Sequence, residues 1–263
     1  MYDPAKEGFS PRMCAIDCAQ VGLLRALAMR FGYRLFLKGG MAMRALFGSL
    51  RLTKDIDFER DPTLSGISLR SALPAALNAA ALAASLQAPR VAITKDTNTT
   101  IRASLGATLG ATGESVQYEV EISCRGLPPV ENLVHISVVP PLAYRMTPFG
   151  VNSYDRHAMA AAKVAALHSN NRSVPRDVFD LNDLIAHGAN PVSLLRARAE
   201  PGWLRAVSAK AIERTGAIGW DRAYAELVPY LPKSAAEQLD ASRWDDLCLR
   251  VAETVDAWVK DAQ

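Results

Sequence analysis

The stretch that decides the fold runs from Leu37-Lys38-Gly39-Gly40 to Arg51-Leu52-Thr53-Lys54-Asp55-Ile56-Asp57-Phe58. Residues 33–37 read as a short buried strand, and Gly39-Gly40 as the turn from it into a helix over 41–47 that Gly48 ends. A glycine pair between strand and helix lets the backbone approach an anion while the first helical amides point at it. The same pair is more often a plain turn. Beyond the helix, Asp55-Ile56-Asp57-Phe58 alternates as a strand does, so the two carboxylates share one face and Ile56 and Phe58 the other. Carboxylates that close repel unless a cation lies between them. Mg²⁺ accepts such hard oxygen ligands and keeps positions open for triphosphate oxygens. Two solvated acids on an exposed strand edge would show the same spacing.

Working outward, residues 16–31 carry apolar side chains at helical spacing, with Arg25 and Arg30 near the end that favours cations. A further helix is expected over 69–86, strands over 90–94 and 99–103, and a glycine-rich loop around Gly106, Gly110 and Gly113. The run 115–123 alternates well: Val116, Tyr118, Val120 and Ile122 share one face, Glu119 and Glu121 the other. A further strand over 134–139 is closed by Pro140-Pro141, and from Asp155 onward the pattern is helical, first over 156–170 and then over 178–187. The expected class is therefore α+β, with a mixed-sheet domain over 1–150 followed by a helical domain over 151–263.

With 263 residues, 49% of them hydrophobic and 22% charged, the chain can bury one large core or two modest ones. The formal charge is +3, and residues 1–60 hold 10 Lys or Arg against 6 acids while 191–263 hold 10 against 11. The positive excess lies beside the glycine and aspartate segment, where it attracts triphosphate or RNA, or is a solvated surface. Residues 1–13 mix charges with Pro4 and Pro11 and do not look like a signal peptide, and the alanine-rich 71–89 reads as an amphipathic or core helix rather than a membrane span. The four cysteines, with only Cys14 and Cys18 close together, read as reduced thiols without metal spacing, which places the protein in the cytoplasm.

The segment from Lys38 to Phe58 resembles the signature of the DNA polymerase beta-like nucleotidyltransferase superfamily and, more narrowly, the AbiEii/AbiGii group of toxins. Those proteins carry a lysine and two glycines, a short helix, an arginine, a Ser or Thr and an acid-x-Asp strand. Met41 departs from the pattern, standing where a small hydroxyl residue is usual beside the glycines. A second resemblance lies in the alanine-rich helix around Lys163 followed by Arg172 and Arg176-Asp177-Val178-Phe179-Asp180-Leu181.

The resemblance implies nucleotidyl transfer with a nucleoside triphosphate (NTP) as co-substrate and Mg²⁺ or Mn²⁺ as cofactor. Asp55, Asp57 and a third acid would hold the metal, and Glu121 fits the family's acid-Ile pattern better than Glu119. Lys38, Gly39, Gly40, Arg51, Thr53 and Lys163 would hold phosphates. Asp177 would complete the site from the helical domain with Lys163, and Asp180 would support it. Without the resemblance, Lys163 could snorkel to solvent and Asp177 could be a helix-capping acid. The implied acceptor is RNA, the 3′ end of tRNA, in a growth-arresting toxin with a cognate antitoxin and no membrane association. Transfer to a protein or small-molecule hydroxyl, or a non-catalytic nucleotide-binding module, stays open. The histidines at 135, 157, 168 and 187 show no ligand spacing, and Trp203, Trp220, Trp244 and Trp258 read as core or interface residues.

Overall fold

The computed structural model describes residues 1–168, 175–198 and 202–263. They form two units, one of residues 1–48 and 52–153, the other of residues 49–51 and 154–263. Residues 49–51 lie in the first half of the sequence yet fall in the unit with the helices.

In the first unit Ser10 caps helix α1, Pro11–Phe31, by accepting a bond from the amide of Met13, and Pro11 at the first position suits a helix start. The helix thus begins five residues before its apolar periodicity does. Strand β1, Leu35–Lys38, leads directly into α2, Gly39–Leu46, which is followed by β2, Asp55–Arg60, and α3, Gly66–Ala83. Next come β3, Leu86–Thr97, β4, Thr100–Leu109, β5, Ser115–Ser123, β6, Leu133–Val138, and β7, Phe149–Tyr154. The seven strands form a mixed sheet in the order β3-β4-β5-β2-β1-β7-β6. β2 runs antiparallel to β1 and parallel to β5, while β1 runs parallel to β7.

One sheet face is apolar. Ile56, Phe58, Ala103, Leu105, Val116, Tyr118, Val120 and Ile122 are buried there, and α1 and α3 pack over the strands with Leu23, Leu24, Leu73 and Leu77 fully enclosed. Burying a Leu or Phe side chain contributes roughly 1.5–3 kcal/mol, so this face carries much of the unit's stability.

Two local expectations change. Gly106 lies inside β4, paired with Gln117, and the turn is confined to residues 110–114, with Gly113 at φ 71°. β7 has no counterpart in the sequence pattern, because Gly150 and Asn152 break any apolar run. It exists because β1 offers it an edge, and the Ser153 hydroxyl donates to the Leu37 carbonyl at 2.7 Å.

The second unit is helical: α4, Arg156–His168, α5, Pro175–Ala186, α6, Val192–Ala197, α7, Trp203–Gly216, α8, Trp220–Leu227, α9, Lys233–Gln238, and α10, Ala241–Ala262. Asp155 caps α4, accepting from the Ala158 amide at 2.7 Å. The expected end of that helix at Asn170, and Arg172, lie outside the described residues. α10 is the spine, packing on α5 and α7 and burying Trp244, Val251, Val255 and Val259. Trp244 also donates its indole N–H to the Ile218 carbonyl at 2.9 Å, a core role. No helix among the described residues is long and apolar enough to cross a membrane.

Candidate active site

The strand register builds the polar face of the sheet. Alternation along β2 puts Asp55, Asp57 and Glu59 on the side opposite Ile56 and Phe58. In the parallel pairing with β5, Asp55 stands opposite Glu119, Asp57 opposite Glu121 and Glu59 opposite Ser123. On the other flank Lys38 stands opposite Asp57, and beyond β5 Arg102 of β4 stands opposite Glu121 and Lys95 of β3 opposite Arg102. One register row therefore reads Lys95, Arg102, Glu121, Asp57, Lys38 across five strands.

Gly39 is required twice at the start of α2. Its φ is +69°, and a Cβ there would collide with the Asp57 carboxylate oxygen Oδ2. Asp57 is thus lodged against the backbone where the first-turn amides of α2 lack intrahelical partners. Met41 is wholly buried, so the residue that departs from the family pattern is a core residue. α2 itself is pinned through Arg44, whose buried guanidinium bonds both oxygens of Asp17 on α1 at 2.8 and 2.7 Å and lies 4.2 Å from the Tyr2 ring centre. The Tyr144 hydroxyl also donates to Asp17.

The remaining groups of the first unit are engaged with protein. Lys38 donates to Glu59 at 2.7 Å and to the Ser123 hydroxyl at 2.6 Å. Glu59 is buried and further accepts from Ser123 and from the amides of Arg125 and Gly126. Burial alone would raise its carboxyl, but Lys38 and these donors hold it below the ordinary range. Glu59 is therefore a structural acid that keeps Lys38 beside Asp57. Thr53, expected at the phosphates, is buried and donates its hydroxyl to the Asp55 carbonyl at 2.8 Å, fixing the entry to β2.

Glu121 bonds Arg102, whose Nη2 and Nε reach one carboxylate oxygen at 2.5 and 3.1 Å, while Arg125 lies 3.6 Å from the other. Burial pushes the Glu121 carboxyl up, and these guanidinium groups more than offset it, leaving it below its usual value. Glu119 stands 4.0 Å from Arg102. Among the described residues no three His, Cys, Asp or Glu side chains converge as a metal-holding group. Asp55 and Asp57 nonetheless supply hard oxygens on one face, with Glu121 one register step away, a donor set that fits Mg²⁺ or Mn²⁺. Arg102, Arg125 and Glu59 were not singled out from sequence, although alternation along their strands places Arg102 and Glu59 on this face.

A second charged group lies wholly within the helical unit. Lys163 on α4 is buried and donates to Asp177 at 2.7 Å and Asp180 at 2.6 Å, both on α5. Asp180 also accepts a fork from Arg51, Nε at 3.1 Å from Oδ1 and Nη2 at 2.9 Å from Oδ2, and Ser49 donates to Asp183 at 2.9 Å. Burial opposes the charge on Lys163, but Asp177 and Asp180 raise its affinity for the proton above the ordinary lysine value. Lys163 and Arg51 were expected at phosphates and Asp177 at the reaction centre. The structure places all three in this network, where each charge has an opposite charge at bonding distance, as burial demands.

Residues 23–255 match the family model described as nucleotidyl transferase AbiEii toxin, type IV TA (toxin–antitoxin) system. Two solved Helicobacter pylori structures share the fold at 16% identity. JHP933 has a TM-score of 0.53 and covers 97% of this chain and 95% of its own. A provisionally named nucleotidyltransferase has a TM-score of 0.55 and covers 97% of each. Among curated proteins none matches the chain in sequence.

Proposed function

This chain belongs to the AbiEii nucleotidyl transferase toxin family of type IV toxin–antitoxin systems, and on that premise we propose that it transfers a nucleoside monophosphate from an NTP to an RNA hydroxyl. The acceptor we assign is the 3′ end of tRNA, and the cation is Mg²⁺, or Mn²⁺ in its place. The acceptor oxygen bonds to the α-phosphorus, the bond from that phosphorus to the β-phosphate oxygen breaks, and pyrophosphate leaves.

One observation carries this reading: Asp55 and Asp57 share a face of β2, and Asp57 rests against the positive-φ Gly39 at the start of α2. A cation held by Asp55 and Asp57 would have the α2 amides, which would take phosphate oxygens, on the same side of the sheet edge. When bound, the divalent ion neutralises charge on the transferring phosphate. Gly39 and Gly40 let the triphosphate approach the backbone. Lys38, kept beside Asp57 by Glu59 and Ser123, adds a positive charge at the same edge. Glu121, opposite Asp57, is the third acid, and accepts the proton of the attacking hydroxyl. Positioning and charge supply most of the rate in such a reaction. A cognate antitoxin is the partner that restrains it.

The test incubates the protein with each α-labelled NTP, Mg²⁺ and total tRNA, beside an Asp57→Ala control and a lane without RNA. Label in tRNA that disappears with Asp57→Ala is the expected result. Label on protein alone moves the acceptor to a protein hydroxyl, and no label in any lane overturns RNA transfer by the chain on its own.

A further inference from the structure

In the register row that carries Glu121 and Asp57 the charge divides between β4 and β5, and Lys38 closes the row on β1. Its β3 and β4 positions are Lys95 and Arg102, its β5 and β2 positions Glu121 and Asp57. Arg102 spans the division, and two of its nitrogens converge on the single Glu121 oxygen Oε2. That carboxylate is one register step from Asp57, yet no third carboxylate joins Asp55 and Asp57 in a metal-holding group among the described residues. A guanidinium so placed does electrostatically what a divalent ion would do: it sets positive charge against Glu121 and fills the lone pairs of Oε2. Both cannot occupy the same oxygen.

We infer that Arg102 is a positioning residue that competes with the divalent cation for Glu121, so that breaking the Arg102–Glu121 pair is part of forming the metal site. The inference rests on the proposed carboxylate site. The Arg102 side chain is 39% exposed and that of Glu121 22%, so the pair is partly solvated and can exchange partners without stranding a buried charge. Glu59 shows the contrast on the same face. Its oxygens are closed in by Lys38, Ser123 and two backbone amides, with the side chain 2% exposed, so no ion can displace its partners. Arg125, 3.6 Å from the other Glu121 oxygen, also donates to the Thr100 hydroxyl at 3.3 Å and so braces this flank without holding Glu121 alone.

The experiment titrates Mn²⁺ into full-length protein without nucleotide, by calorimetry and by the loss of the free-ion paramagnetic resonance signal. The variants are Arg102→Ala, Arg102→Lys, Lys95→Ala, Glu121→Gln and the Arg102→Ala/Glu121→Gln pair, each checked by thermal melting. Arg102→Ala tightens Mn²⁺ binding by about 3- to 10-fold, the range an exposed ion pair supports when it no longer competes. Arg102→Lys, which keeps the charge and loses the fork, falls between it and the parent. Lys95→Ala removes a charge from the adjacent register position without removing a bond to Glu121, and changes the affinity less than Arg102→Ala. In the Glu121→Gln background the Arg102→Ala gain disappears. Equal tightening by Arg102→Ala in that background would reduce Arg102 to part of the general field, and unchanged or weaker binding in the single variant would also overturn the inference. Either result leaves the carboxylate site standing if the parent binds Mn²⁺ and Asp57→Ala does not. A parent chain that takes up no Mn²⁺ overturns both.

Discussion

Gly39 is the residue where local conformation and site chemistry meet. Its backbone is left-handed and its missing Cβ is the space Asp57 occupies. Gly39→Ala therefore strains the backbone and displaces the acid together. We expect a loss of about 1–3 kcal/mol in stability and a fall in nucleotidyl transfer of at least about 100-fold, read by urea unfolding and by label incorporation. In the helical unit, Lys163→Met leaves Asp177 and Asp180 short of a counter-charge in a buried position, and costs about 3–5 kcal/mol by the same unfolding measurement. Asp183 behaves differently from its neighbours. Burial raises its carboxyl above the usual value, the bond from Ser49 opposes that, and Asp180 adds to it. A raised acid contributes its stability below the ordinary carboxylate range and loses it as pH rises through the folded value. Asp183→Asn, which keeps an acceptor for Ser49, is therefore expected to raise the melting temperature at pH 7, with the gain vanishing as pH falls to about 4. A melting-temperature series from pH 4 to 8 checks the sign.

Among the elements, α2 matters most, because its eight residues begin with the glycine pair and tie that pair to the core. Its hold is the fully enclosed Arg44, bonded to Asp17 of α1. Arg44→Met strands that carboxylate, and we expect a cost of about 3–5 kcal/mol with nucleotide binding impaired in proportion to the loosened helix. Both are measurable by denaturation and nucleotide titration of the same sample. β1, α2 and β2 could be placed from the sequence because glycines and alternation mark their ends. β7 could not, since its residues acquire strand character only through pairing with β1. The start of α1 was also hidden: Pro11 to Ala15 carry no apolar periodicity, and the helix is set there by Ser10 and Pro11. Arg44 shows the same limit, for a lone arginine in a short helix looks solvent-exposed until Asp17, fixed on another helix, is found beside it.

For the whole molecule, ligand binding should appear as stability. An NTP with Mg²⁺ at about 100 times its Kd raises unfolding free energy by about 2.7 kcal/mol if it binds only the folded chain. Asp57→Asn is expected to abolish the metal-dependent part, while NTP without Mg²⁺ protects the parent little. Thermal melting with and without Mg²⁺ decides it, and equal protection in the variant would sink the role given to Asp57. The sequence by itself determined the α+β class and the turn, helix start and strand face bearing Lys38, Gly39, Gly40, Asp55 and Asp57, because local spacing encodes these, and its resemblance to the AbiEii toxins pointed to the family. Only the tertiary structure decided what each charge touches. Arg51 and Lys163 bind Asp180, Lys38 binds Glu59, and Arg102 binds Glu121. The physical reason is separation along the chain: Arg51 and Asp180 lie 129 residues apart. Such pairs follow from how strands register and helices pack, and residue spacing carries no record of either.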